Sequence, residues 1–189
     1  MRVFTISIAF IGCVAAAPLV ACAQSVGRPF EFGIDAGAQF GLGDDDYTVI
    51  TLPAQHARVG YEFSNRASFE PFAGLTYVSV GGGSTTSLDL GVGLLFYLTG
   101  DTAGAPTSMT TTVSRIYVRP FGIMQYVRGS AGGESDSNTE FGFGGGLGLR
   151  QPLGSSRLAT RWEVNVQHVG GSGSGTSLGV LVGLSFFTR

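Results

Sequence analysis

From Phe30 to Gly41 the chain alternates without a single error between apolar residues and residues that are polar or Gly. Phe30, Phe32, Ile34, Ala36, Ala38 and Phe40 take the even positions, and Glu31, Gly33, Asp35, Gly37, Gln39 and Gly41 the odd ones. Successive side chains of a strand point to opposite faces, so a two-residue period assigns one set to each side of a sheet. A helix would scatter both sets around its axis, and no later segment carries a helical stripe of useful length.

The pattern recurs in seven further segments. The second strand ends Ala57-Arg58-Val59-Gly60-Tyr61-Glu62-Phe63, with Pro53 marking a bulge or break upstream. The third, Ser68 to Val80, sets Phe69, Ala73, Leu75 and Tyr77 on one face. The fourth carries Leu88, Leu90, Val92, Leu94, Phe96 and Leu98 against Asp89, Gly91, Gly93 and Tyr97. The fifth repeats the third: Glu70-Pro71-Phe72-Ala73-Gly74-Leu75-Thr76-Tyr77-Val78 aligns without gaps on Arg119-Pro120-Phe121-Gly122-Ile123-Met124-Gln125-Tyr126-Val127. A repeat two strands apart fits an antiparallel meander of hairpins. The sixth alternates Phe141, Phe143, Leu147 and Leu149 with Gly142, Gly144, Gly146, Gly148 and Arg150. The seventh sets Trp162, Val164 and Val166 against Arg161, Glu163, Asn165 and Gln167, and the eighth sets Leu178, Val180, Val182, Leu184 and Phe186 against Gly179, Gly183 and Ser185.

Connectors are expected at Gly43 to Asp46, Ser64 to Arg66, Gly81 to Thr85, Thr99 to Ser114, Gly129 to Asn138, Leu153 to Arg157 and Gly170 to Thr176. The one from Thr99 to Ser114 is the longest and is expected to be mobile.

Alternation alone does not say which face meets water. A soluble sandwich or carrier barrel turns its apolar face inward; a membrane barrel turns it outward. Composition bears on the choice. Charged residues make up 13% of the chain, Lys is absent, and there are 31 Gly. Soluble domains average about 25% charge and about 7% Gly. A water-facing strand favours Thr, Lys and Glu, whereas the crowded bore of a narrow barrel accommodates Gly. The charged residues of the polar face have both signs. Glu31, Asp35, Glu62, Glu70, Asp89, Glu140 and Glu163 would share the interior with Arg58, Arg119, Arg150 and Arg161 and neutralise one another.

The outward aromatics sort by height when the first strand rises from the side of the chain termini. Phe30, Phe32, Tyr61, Phe63, Phe69, Phe96, Trp162 and Phe186 fall at one rim; Phe40, Tyr77, Tyr126, Phe141 and Phe143 fall at the other. Ile34, Ala36, Val59, Leu75, Leu90, Val92, Leu147, Val164 and Val182 lie between. Two aromatic girdles around an aliphatic belt match a bilayer with polar interfaces. The expected fold is therefore all-β: an eight-stranded antiparallel up-and-down transmembrane β-barrel, each strand close to the ~9–11 residues that cross a bilayer at a tilt.

In strand number, aromatic bands and an apolar final strand, the chain resembles the small outer-membrane β-barrel superfamily of the OmpA transmembrane domain and the OmpX-like proteins. The likeness covers about Phe30 to Arg189. The ending Gly179-Val180-Leu181-Val182-Gly183-Leu184-Ser185-Phe186-Phe187 is similar to the strand read by that family's insertion machinery, although Thr188-Arg189 follows the aromatics. The resemblance implies a bacterial outer-membrane location, insertion by the outer-membrane assembly machinery and periplasmic termini. The even strand count independently places both termini on one side.

Ahead of the barrel, Met1-Arg2 and the apolar run Val3 to Val20 lead to Ala21-Cys22-Ala23, an A-x-A cleavage pattern. This divides the chain into a signal peptide, 1–23, and a barrel domain, 24–189. Leu19-Val20-Ala21-Cys22 also resembles a lipobox, so acylation of Cys22 is the competing reading. Cleavage after Ala23 would remove Cys13 and Cys22 together and leave no thiol for a disulfide or a metal.

Little in the sequence points to chemistry. An eight-stranded bore is filled by side chains, so a wide pore is not expected; Arg58, Glu70 and Arg119 are the candidate gates of a narrow ion path. His168 has outward parity near the far rim, with Ser172 and Ser174 in the next loop. Some small barrels of the resembled superfamily modify lipid A with an exposed His and Ser. Here a tight His-x-Ser pairing and an orienting carboxylate are missing, and a rim histidine facing headgroups is the simpler reading. His56 is read as an interior or bulge residue. Asp44-Asp45-Asp46 is a solvated acidic tip or a divalent-cation site. Gly144-Gly145-Gly146 precedes no helix and is not a phosphate loop. A net charge of −2 without a basic stretch argues against nucleic acid. No cofactor, metal or catalytic residue is expected. The expected role is non-enzymatic: structural, surface-interacting or envelope-maintaining, with membrane lipids as partners and the oligomeric state left open. The rivals are a lipid-modifying enzyme, a low-conductance channel and a soluble carrier of an apolar ligand.

Overall fold

A computed structural model describes residues 30–42, 48–64, 66–80, 83–99, 114–131, 134–154, 157–171 and 174–188. The leader, with Cys22 and its cleavage pattern, lies outside them, as do Asp44 to Asp46 and 100–113. Eight strands follow one another: β1 (Phe30–Leu42), β2 (Thr48–Ser64), β3 (Ala67–Val80), β4 (Gly83–Tyr97), β5 (Arg115–Ala131), β6 (Glu134–Pro152), β7 (Leu158–Gly170) and β8 (Gly175–Phe187). Each is antiparallel to the next, and β1 pairs with β8 from Glu31↔Phe187 to Leu42↔Thr176, closing the barrel. Closure leaves no open sheet edge along the shared wall. The chain ends are joined at one rim: the Phe30 amide donates to the Thr188 hydroxyl at 2.8 Å, and the Thr188 amide to the Phe30 carbonyl at 2.9 Å. We call this the terminal end and the opposite rim the distal end.

Two features of the ladder come from local residue chemistry. Asp35 pairs with His56 but Gly37 pairs with Thr51, so residues 52–55 of β2 bulge opposite Ala36. Pro53 lies in that bulge; it lacks the N–H that a regular ladder would use. In the β6–β7 turn, Gly154 adopts φ 61°, a conformation that favours Gly, and the Leu153 amide closes the turn on the Leu158 carbonyl at 2.8 Å.

Two expected connectors are corrected. Gly81 to Thr85 is largely strand, because β4 starts at Gly83 paired with Val80. Gly129 to Asn138 is likewise strand: β5 and β6 continue to the pair Ala131↔Glu134 and form a long hairpin at the distal end. Residues from Glu134 to Thr139 are exposed on both parities. Alternation reports one buried face, so a hairpin with two wet faces gives no such signal and reads as loop.

The outside of the barrel is apolar and exposed along its full girth, with Val92 49%, Leu147 57%, Val164 50% and Val182 39% accessible. The inside holds the polar face. Its large side chains lie across the bore, and glycines on the neighbouring strand leave room for them. A Cβ at Gly148 would overlap the Tyr117 ring; one at Gly183 would overlap the Asp35 carboxylate and stand 2.7 Å from the Ile34 carbonyl oxygen. The high glycine content therefore provides clearance inside the barrel.

Candidate functional site

The bore is the most organised polar region of the molecule. Of the eleven charged residues expected there, Asp89 and Glu140 are half-buried and nine are buried: Glu31, Asp35, Arg58, Glu62, Glu70, Arg119, Arg150, Arg161 and Glu163. A tenth, Arg115, joins them. Five carboxylates thus face five guanidinium groups, and the buried set is formally neutral.

Arg58 on β2 is a hub. Its Nε donates to Asp35 at 2.9 Å, Nη1 to Glu31 and, at 3.4 Å, to Glu70, and Nη2 to the Ser185 hydroxyl at 2.8 Å. Arg161 on β7 extends the network, donating to Glu70 at 2.6 Å, to Glu163 at 2.7 Å and to the Tyr117 oxygen at 2.5 Å. Glu163 also receives Arg119, at 3.0 Å from Nε and 2.5 Å from Nη2. Nearer the terminal end, Arg150 reaches Glu31 and donates to the Tyr97 oxygen at 2.6 Å. Beside it Arg115 pairs with Glu62 at 2.8 Å, its guanidinium 4.3 Å from the Tyr97 ring centre. Desolvated charges persist only when each is met by several partners, and this network supplies them.

Above the ions lies an apolar layer. The aligned Phe72 and Phe121 meet edge-on with ring centres 6.1 Å apart, and Ile123 packs with them. The other charged positions of the repeat, Glu70 and Arg119, face each other at 3.8 Å. His56 is 5.0 Å from the Phe72 ring, and its Nε2 is buried without a hydrogen-bond partner among the described residues. It lines, with Gln39, Asn165 and Gln167, a cavity with room for about one water molecule. Beyond this layer the inward charges are sparse. Gln39 bonds Ser177 at 3.3 Å, and Asp89 is half-buried, accepting from Gln125 at 3.2 Å and Ser87 at 3.3 Å. Glu140 lies close to the distal rim and accepts from Asn138 at 2.7 Å.

The candidate gate residues Arg58, Glu70 and Arg119 sit inside the ion network, with aromatic rings stacked above. Sequence reading missed Arg115 and the inward rings Phe72, Tyr117, Phe121 and Phe187. Parity could have found most of them. Arg115 and Tyr117 lie four and two residues before Arg119, on the same parity.

On the outside, Phe63, Phe69, Phe96, Trp162 and Phe186 are exposed on the terminal half, and Phe40, Tyr77, Phe141 and Phe143 on the distal half. Phe30, Phe32, Tyr61 and Tyr126 are half-exposed. His168 is exposed in the same outward set; its Nδ1 is 3.0 Å from the Thr176 hydroxyl, and its ring centre is 5.8 Å from that of Phe143. Its neighbours in the structure are thus a hydroxyl and an aromatic ring. Among the described residues, no group of three or more His, Cys, Asp or Glu is placed to hold a metal ion.

Solved structures share this arrangement. Neisserial surface protein A superposes with a TM-score of 0.59 at 11% identity, covering 85% of this chain and 96% of that one. The attachment invasion locus protein of Yersinia pestis, solved with the heparin analogue sucrose octasulfate, gives 0.54 at 13% identity, covering 85% and 99%. The chain has the fold of the small outer-membrane β-barrels. No protein-family model and no curated protein matches it. At such low identity the likeness extends to architecture and leaves function to the residues.

Proposed function

We propose that this chain is an integral protein of a bacterial outer membrane, non-enzymatic and closed to solutes, whose role is structural or surface-interacting. The observation that carries this is the inversion of polarity across the wall. Val92, Leu147, Val164 and Val182 face out, while ten charged side chains are buried and paired within. In water the arrangement would expose an apolar belt far larger than the few hundred Å² that soluble monomers show. In a bilayer the same belt meets acyl chains, and pairing between neighbouring strands, β8 to β1 included, takes up backbone N–H and C=O groups that lipid could not. From Phe32 to Phe40 the outward aromatics of β1 stand about 26 Å apart along the strand, about 20 Å of height at the usual tilt, so the rings reach towards both margins of a belt about 25 Å tall. The family resemblance supports the same location and insertion by the assembly machinery through β8.

Among the described residues, crossed arginines and rings fill the terminal half of the bore, which favours a plug over a channel. At the distal end the β5–β6 hairpin stands clear of the β6–β7 ladder, which begins at Phe141↔Gly170. It offers polar residues such as Arg128, Ser135, Asp136 and Ser137 to the outside. With Glu134 and Asp136 beside one Arg128 among the described residues, it is poorly suited to a polyanion of the kind bound to the Yersinia protein.

Membrane fractionation with semi-native gel electrophoresis tests the location and architecture together. The expected result is recovery in the detergent-extracted outer-membrane fraction, with a mobility shift on boiling. Recovery in the soluble fraction without detergent would overturn the proposal. Planar bilayers test closure: they should remain silent, and discrete salt-dependent steps would replace the plug by a channel.

A further inference from the structure

On the outer wall between β5 and β7 the described residues form a recess with a polar head. Three cross-strand rows define it. In the first, Gly122, Phe143 and His168 are register partners; in the second, Pro120, Gly145 and Val166; in the third, Val118, Leu147 and Val164. All point outward. A Cβ added at Gly145 would meet nothing within 4 Å, and one at Gly122 only the Gly142 carbonyl oxygen at 4.0 Å. Around these two bare positions stand three of the most exposed large apolar groups among the described residues, Phe141 at 69%, Phe143 at 68% and Leu147 at 57%. The wall is therefore notched where its neighbours protrude most, in a shape that a flexible chain can fill.

At the distal end of this notch sits His168. Thr176 on β8 holds the ring through Nδ1, which leaves Nε2 unpartnered among the described residues. When the hydroxyl donates to Nδ1, Nε2 carries the hydrogen; when the ring is protonated, both nitrogens do. In these two forms, unlike the neutral ring that donates from Nδ1 to Thr176, Nε2 is a donor at the level of the distal aromatics, where headgroups begin, directly above an apolar recess. Among the described residues, Glu140 on β6 and Glu163 on β7, the strands that carry Phe143 and His168, have the opposite parity and face inward, so neither carboxylate meets the ring.

We infer that the His168 ring and the Gly122–Gly145 notch form one binding site for an outer-leaflet lipid, its phosphate accepting from Nε2 and an acyl chain lying in the notch between Phe143 and Leu147. The inference rests on the outer-membrane reading above and assigns binding, with no bond made or broken. A phosphate ester is the suited acceptor because a charge-assisted hydrogen bond is about twice as strong as a neutral one, and the apolar recess selects the lipid over a free phosphate.

The test is native mass spectrometry of the full protein released from vesicles of phosphatidylcholine and phosphatidylglycerol, with wild type, His168→Gln and Gly145→Leu compared. Wild type should retain one phosphatidylglycerol at collision energies that remove bulk lipid. Each substitution should lower that retention about tenfold, the size expected for one charge-assisted hydrogen bond or for a filled recess. Val59→Leu, outward on β2 across the barrel from β6, should leave it unchanged, and millimolar inorganic phosphate should not displace the lipid. Equal retention in all variants overturns the site. So does displacement by inorganic phosphate, which assigns the ring to a free anion, or a dimer lost on Gly145→Leu, which assigns the notch to a second copy. Failure of the membrane reading looks different: the protein would not enter vesicles or shift on boiling, whatever stands at 168.

Discussion

The two halves of the bore solve the problem of a narrow interior in different ways. The terminal half is packed with ion pairs: Arg150, Arg161, Tyr117, Glu70 and Glu163 are among the most deeply buried side chains of the molecule. The distal half holds Gln39, Ser177, Gln125 and a half-buried Asp89, and ends in a hairpin exposed on both faces. Charge in the first half is desolvated and mutually dependent; polarity in the second is sparser, for the most part half-exposed, and local. The contrast implies that stability resides at the terminal end and that the distal end is free to vary.

The strongest way to break this contrast is to remove one shared carboxylate. Glu163 accepts from Arg161, Arg119, Tyr117 and Asn165. Glu163→Ala leaves the buried Arg119 and Arg161 sharing Glu70 alone among these carboxylates, and it should cost about 3–5 kcal/mol. Gln167→Ala, further along the same face in a neutral setting, should cost no more than about 1.5 kcal/mol. Urea titration of folded protein in vesicles measures both. Equal losses would mean that the ion network carries no special share of the stability.

A substitution on the outer wall comes next in size and sharpens where the lipid lies. Val164 is 50% exposed in the middle of the belt. Val164→Arg should cost about 2–4 kcal/mol if hydrocarbon surrounds it. Ser137→Arg, also exposed but on the distal hairpin, should change stability by less than about 0.5 kcal/mol. In the soluble-carrier reading Val164 would face the dry centre, yet the structure already turns it outward. A harmless Val164→Arg would show that the outward face meets water.

The same division explains how far the sequence could be read. Strand number, parity and inward charges were legible because each strand from β1 to β8 has one apolar and one polar face, and that period survives in the residues. The network's partners were not. Whether Arg58 meets Glu31 or Glu70 depends on cross-strand register, which the bulge opposite Ala36 shifts by several residues. The Phe72–Phe121 contact was hidden within a repeat that was visible as a repeat but silent about spacing across the bore. The distal hairpin was read as loop because two wet faces erase the alternation. Asp44 to Asp46 and Cys22 fall outside the described residues, and the structure adds nothing to what their sequence suggests.

The smallest effect makes the finest distinction, because one kind of substitution should change sign between the halves. Gly183 on β8 pairs with Asp35 on one side and Arg161 on the other. Gly183→Ala places a methyl group against the Asp35 carboxylate and 2.7 Å from a backbone oxygen. That carboxylate is tied to Arg58 and cannot swing away freely, so a loss of about 1–3 kcal/mol is expected from overpacking. Gly129 lies in the distal part of β5, paired with Thr85 and Asp136, and a methyl group there meets nothing within 4 Å. Its backbone is extended and has no positive φ. Gly129→Ala therefore adds no strain to the folded chain and removes freedom from the unfolded one, which should raise stability by about 0.4–1 kcal/mol. Paired unfolding titrations in one vesicle composition resolve the sign even where the magnitude is small. A loss at both positions would mean that the distal hairpin is packed against something, and the division between a rigid, ion-filled half and a sparser, permissive one would have to be withdrawn.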